Sequence, residues 1–121
     1  MIESMYREHI LDLYKNPRNY GNLESFTNAT HLYNASCGDD LTIRMIIEND
    51  IVKEIKFTGK GCALCMASAS LMTSKVKGMK KNEILKINSE ESISLLKIPI
   101  SPARMKCVLL PLEAIHKAIG G

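Results

Sequence analysis

The chain has 121 residues, the length of one domain with a single core, and its 45% hydrophobic and 24% charged content is ordinary for a globular protein. A net charge of +3 from scattered lysines, with only four tyrosines and two phenylalanines, argues against a nucleic-acid binder. No run reaches the about 18 apolar residues of a membrane span, and the charged opening has no signal-peptide core, so a soluble, cytoplasmic protein is expected. In that reducing compartment the four cysteines are expected to bind metal or do thiol chemistry rather than form a disulfide framework.

Residues 3–15 read as an amphipathic helix with Met5, Ile10, Leu11, Leu13 and Tyr14 apolar. Asn16-Pro17 ends it, because the residue before proline avoids the helical region. Asn19 to Asn22 reads as loop, and Thr27 to Asn34 as a short strand. At Gly38 the chain is expected to turn tightly, with Cys37 and Asp39 on either side able to face one cavity.

Leu41–Glu48 and Ile51–Thr58 both alternate, and the short polar turn Asn49-Asp50 joins them into an antiparallel hairpin. Leu41, Ile43, Met45 and Ile47 fall on one face. In the second run Ile51, Ile55 and Phe57 oppose Val52, Glu54, Lys56 and Thr58. One face is polar, so helices are expected on the other only. The hairpin ends opposite the turn bring Asp40 near Gly59, which makes Cys37, Asp39 and Cys62 neighbours.

A helix over Ala63 to Lys77 follows, rich in small residues and ending at Gly78. Short helices are expected at Asn82–Leu85 and, capped by Ser89, on to about Leu96. Ser101-Pro102 opens a last helix running to Ile119, which Pro111 should kink or split near Leu110. Cys107 falls about a turn and a half into it. The pattern is α+β, in the order α-β-β-β-α-α-α-α, within one domain over residues 1–121.

The cysteines admit two readings. Cys62-Ala-Leu-Cys65 has the spacing of a redox dithiol at a helix N-terminus, where thiolate is favoured. A hairpin, however, is not the parallel βαβ setting of thioredoxin-like motifs. Alternatively Cys37, Cys62 and Cys107 with Asp39 bind metal. Three thiolates and a carboxylate complete a tetrahedral zinc site, or hold an iron–sulfur cluster made more labile by its oxygen ligand.

Three separated motifs, Asn34-Ala-Ser-Cys-Gly-Asp39, Phe57-x-Gly-x-Gly-Cys-Ala-x-x-x-Ala-Ser-Ala-Ser70 and Arg104-x-Lys-Cys107, resemble the IscU/SufU family. These are iron–sulfur cluster assembly scaffolds related to the amino-terminal domain of NifU. The stretch Tyr6 to Asn22 is similar to the family's first helix and loop. The resemblance implies a three-stranded antiparallel sheet with helices packed on one face. It implies that Cys37, Asp39, Cys62 and Cys107 hold a [2Fe–2S] cluster, iron or zinc, with Cys37 and Cys107 as candidate persulfide acceptors. Its implied partners are a cysteine desulfurase and apo iron–sulfur recipient proteins, and it allows a homo-oligomer in the cluster-bound form. A SufU-type member would instead be a zinc-dependent sulfurtransferase.

The chain departs from the family at several points. Lys106 replaces the histidine of IscU-type members, yet there is no room for the insertion usual in SufU-type ones. Ile100-Ser-Pro-Ala-Arg104 echoes only part of the Leu-Pro-Pro-Val-Lys chaperone-recognition run, so the resemblance does not extend to chaperone dependence. Lys106 is either a solvated lysine or, with Arg104, a positive charge near Cys107 that favours a thiolate or docks the desulfurase. Cys65 stands where most members have a small residue. It is either a buried side chain or an alternate ligand or sulfur carrier, three residues along the same helix face.

Overall fold

The computed structural model describes residues 2–35 and 38–120. In chain order the elements are α1 (Ile2–Lys15), β1 (Asn28–Asn34), β2 (Asp39–Glu48), β3 (Ile51–Lys60), α2 (Ala63–Val76), α3 (Lys81–Leu85), α4 (Ser89–Ser94), a 3-10 turn (Pro102–Arg104) and α5 (Met105–Ile119). The strands form one antiparallel sheet, ordered β1-β2-β3, as the α+β expectation required. Asn49 and Asp50 close the β2–β3 hairpin with φ of 54° and 63°, the left-handed pair whose twist suits a two-residue hairpin turn.

Alternation misplaces one residue. Val52 is fully buried, in the same row as Ile55 and Phe57 rather than on the polar face. Ile46 pairs with Glu54 but Ile47 pairs with Val52, so Lys53 is an extra residue in β3. Such a bulge resets the side-chain parity and turns Val52 inward.

Leu41, Ile43, Met45, Val52, Ile55 and Phe57 make the covered face of the sheet. On it α2 lies against β3, and α5 against β1 and β2. Ala67, Ser68, Ala69 and Ser70 are all buried, so α2 can be approached closely from two sides. Its second side takes α1, whose Ile10 and Leu13 join Ala67, Leu96 and Val108 in a smaller cluster.

The segment read as loop around Asn19 has a structural task. It runs beside β3, where the Phe57 N–H donates to the Asn19 carbonyl at 3.0 Å and the Gly21 N–H to the Phe57 carbonyl at 2.9 Å. Tyr20 meets Phe57 edge-on at 5.3 Å and donates its hydroxyl to the Gly59 carbonyl. An open strand edge is thereby covered, and the strand leading to Cys62 is held in place.

Three helix expectations need correction. Asn88 rather than Ser89 caps α4, its Oδ1 accepting the Glu91 N–H at 2.9 Å, and the helix stops at Ser94. Pro102 opens a 3-10 turn, so α5 proper starts at Met105 and Cys107 lies in its first turn. Finally, α5 runs unbroken through Pro111. An interior proline costs about 3 kcal/mol, because it offers no N–H to the carbonyl four residues back. Leu110, Leu112, Ile115 and Ile119 are buried on the same helix. At about 1.5–3 kcal/mol each their burial outweighs the proline. Among the described residues no helix is long and apolar enough to cross a membrane.

Candidate metal centre

Asp39 opens β2 in the same inward row as Leu41 and Ile43, so its carboxylate lies on the covered side of the sheet, fully buried. Leu41 pairs with Gly59 and Asp40 with Lys60, and the chain leaving β3 therefore passes Asp39 at Gly61 and Cys62. The pairing demands glycine at 59. Its φ is +137°, and a Cβ there would stand 1.9 Å from the Asp40 carbonyl oxygen.

Cys62 immediately precedes α2 with an extended backbone. Its N–H is one of those a helix start leaves without a helical acceptor, and Asp39 Oδ1 accepts it at 3.1 Å. Cys107 arrives from the first turn of α5. Ser68 sets that turn against α2 by donating its buried hydroxyl to the Val108 carbonyl at 2.7 Å.

The ligand atoms of Asp39, Cys62 and Cys107 all lie within 4.8 Å of one another. Tetrahedral zinc with sulfur at about 2.3 Å and oxygen at about 2.0–2.2 Å needs ligands about 3.5–4 Å apart, so a contraction of about 1 Å suffices. Asp39 Oδ2 is buried and has no hydrogen-bond partner among the described residues. Such an oxygen costs about 1–3 kcal/mol or more, and buried charges are normally paired or bound to metal. Two thiols with one carboxylate suit zinc or iron–sulfur chemistry. The donor set therefore fits the group that the resemblance implies. Cys62 is half-buried while Asp39 and Cys107 are fully buried, so the described site opens at the Cys62 thiol.

Cys37 lies outside the described residues. Beside it Gly38 has φ +73° and donates its N–H to the Asn34 carbonyl, which is the tight turn expected there. Cys65 is buried in the first turn of α2 and is not one of the three gathered ligands. It stands behind Gly61. Arg104 and Lys106 are exposed and border different grooves. That of Arg104 is shared with Arg7, Leu11, Leu64 and Ile100, and that of Lys106 with Leu32, Tyr33 and Glu113.

Sequence reasoning did not single out Ser68, Tyr20 or the space at Gly61. The only trace of the first was the small-residue run in α2, and of the last the Gly-x-Gly-Cys spacing.

The NifU-like N-terminal domain family matches residues 5–121, and the chain belongs to that family. It is 35% identical to the zinc-dependent sulfurtransferase SufU of Bacillus subtilis (strain 168), over 98% of this chain and 91% of the relative. It is 31% identical to the iron–sulfur cluster assembly scaffold protein IscU of Thermotoga maritima, over 98% of this chain and 95% of that one. Among solved structures, FiSufU of Fervidobacterium islandicum AW-1 superposes with a TM-score of 0.81 at 27% identity, covering 97% of this chain and 98% of its own.

Proposed function

We propose that this chain is a scaffold for iron–sulfur cluster assembly. It accepts persulfide sulfur from a cysteine desulfurase together with iron, and builds a [2Fe–2S] cluster as cargo on Cys37, Asp39, Cys62 and Cys107. It then hands the cluster to apo-proteins, with no catalytic turnover of its own. The observation that carries this reading is the buried Asp39 Oδ2, which has no partner among the described residues and lies beside two thiols. A carboxylate is the weak position in a thiolate set, which suits cargo that must leave. Among the described thiols Cys62 is the one a donor protein reaches. Its sulfur attacks the outer sulfur of the donor persulfide, the donor S–S bond breaks, and the donor departs as a thiolate. A cytoplasmic setting, where thiols stay reduced, fits this chemistry.

A second reading, a zinc-dependent sulfurtransferase, is favoured by the gathering of three ligand atoms within 4.8 Å of one another and by the likeness to SufU. There Cys62, Cys107 and Asp39 would hold zinc, which keeps the thiols ionised. Metal and acid-labile sulfide content of protein purified without oxygen separates the two, followed by reconstitution with iron, cysteine and a desulfurase. The scaffold reading expects matched iron and sulfide with a visible absorption band. Tight zinc, no such band and an accelerated desulfurase would overturn it in favour of the sulfurtransferase.

A further inference from the structure

Among the described residues, Cys65 is the thiol that the ligand set leaves unused. Cys62 precedes α2 and Cys65 is its third residue. A side chain at that place reaches back toward the N–H of the residue before the helix. Here that N–H belongs to Cys62 and is held by Asp39 Oδ1. The structure bears out the placement. A Cβ on Gly61 would be 3.1 Å from Cys65 Sγ and 3.0 Å from Asp39 Oδ1, so thiol and carboxylate flank one point. Cys65 therefore packs into the rear wall of the site, near a fully buried carboxylate whose other oxygen has no partner among the described residues. Exposure divides the pair, because Cys62 is half-buried and Cys65 is 1% exposed. Of these two thiols, Cys62 is the one an external thiol meets, and Cys65 reacts within the chain.

Persulfide sulfur must gain two electrons before it is sulfide. We propose that Cys65 is a resolving thiol, which with Cys62 supplies those two electrons and releases the sulfur as sulfide inside the site. The proposal rests on the reading that the chain accepts persulfide sulfur. The Cys65 sulfur attacks the inner sulfur of a Cys62 persulfide. A Cys62–Cys65 disulfide bond forms, the bond to the outer sulfur breaks, and that sulfur leaves with the Cys65 proton as hydrogen sulfide. The outer sulfur is reduced by two electrons and the two cysteine sulfurs are oxidised by the same two, so this step consumes no external reductant. A dithiol reductant then reopens the disulfide in two exchange steps and resets the pair. Sulfur arriving on Cys107 can join this route, because its Sγ lies within 4.8 Å of that of Cys62.

The geometry permits the bond. Residues three apart on a helix have Cβ atoms about 5–6 Å apart, and a disulfide closes them to about 3.5–4.5 Å. Cys62, at φ −68° and ψ 168°, is outside the helix and able to supply the approach.

The test loads metal-free protein anaerobically with cysteine persulfide, then measures released sulfide, retained cyanide-reactive sulfur and disulfide-linked peptides. Wild type should release sulfide equimolar with the sulfur taken up and yield a peptide joining Cys62 to Cys65. Cys65→Ser and Cys65→Ala should keep the sulfur on the protein and release sulfide at least about 100-fold more slowly, since an intramolecular thiol has been removed. Using both replacements guards against one that folds poorly. Equal release from wild type and both variants, or a linked peptide lacking Cys65, overturns the resolving role while leaving sulfur acceptance intact. Failure of every protein to take up sulfur overturns acceptance, and the resolving role with it.

Discussion

Replacing Asp39 with alanine separates what the carboxylate does for the fold from what it does for a metal. Its Oδ1 accepts the Cys62 N–H at 3.1 Å, and losing a hydrogen bond to a charged group costs about 1.5–3 kcal/mol. Its Oδ2 is buried without a partner among the described residues, and removing such an oxygen returns about 1–3 kcal/mol. The two effects nearly cancel. The zinc-free variant should melt within about 4 °C of zinc-free wild type, roughly 1 kcal/mol for a chain of this size. Zinc then separates them. At free zinc about 1,000 times Kd, wild type gains about 4.1 kcal/mol. A site short of one ligand and binding about 100-fold more weakly loses about 2.7 kcal/mol of that gain. The zinc-induced rise in Tm should therefore shrink to about a third of the wild-type rise. Scanning calorimetry in chelator and in zinc reads both quantities. An equal zinc shift in the two proteins would refute Asp39 as a ligand. A zinc-free variant destabilised by more than about 3 kcal/mol would show that the carboxylate is mainly a structural cap.

Gly59→Ala should lower Tm by about 10 °C or more and weaken zinc binding with it, because the new Cβ would lie 1.9 Å from the Asp40 carbonyl oxygen at a φ of +137°. A wild-type Tm would contradict the hairpin-end pairing. Ser68→Ala should cost about 0.5–1.5 kcal/mol in urea unfolding, since it removes the buried 2.7 Å bond while the helical N–H of Leu112 still serves the Val108 carbonyl. No change would mean that the bond does not tie α5 to α2. The pKa of Glu54 is lowered, chiefly by its hydrogen bond to Lys77 at 3.1 Å. Both side chains are more than a third exposed, so the pair is worth about 0.2–1 kcal/mol at most. A lowered carboxylate stabilises above its unfolded pKa, near 4.5, and that contribution fades as pH falls through the folded value. Glu54→Gln should therefore be less stable than wild type at neutral pH and indistinguishable from it near pH 3. A difference that persists in acid would refute the assignment.

The convergence of Asp39 with Cys62 was legible because antiparallel pairing fixes which hairpin ends meet. The Asn49-Asp50 turn alone sets Leu41 opposite Thr58, and the extra residue Lys53 moves the partner on by one to Gly59. The turn brings the ends together and the bulge sets the final register. The inward row of β2 was equally legible, since side chains alternate locally along a strand. Val52 was not, because the bulge at Lys53 arises from pairing with β2 rather than from the composition of β3. Pro111 misled for a related reason. Its local cost is real, but burial of Leu110, Leu112, Ile115 and Ile119 against distant elements prevails. Cys107 entered the metal reading simply as a further thiol in a reducing setting; nothing in its own spacing ties it to Cys62, and the family resemblance supplied that link.

By itself the sequence determined the hairpin, the order of helices and strands, the glycine turns beside Asp39 and Cys62, and the family. All of these depend on short-range periodicity, backbone freedom and motif spacing. Only the tertiary structure decided that Cys107 closes on Asp39 and Cys62, that Asp39 keeps one oxygen without a partner among the described residues, and that Cys65 stands behind Gly61 while Cys62 remains open. Those outcomes depend on how α2 and α5 pack over one sheet end, across contacts between residues far apart in the chain. No local pattern encodes the depth at which a helix brings its thiol.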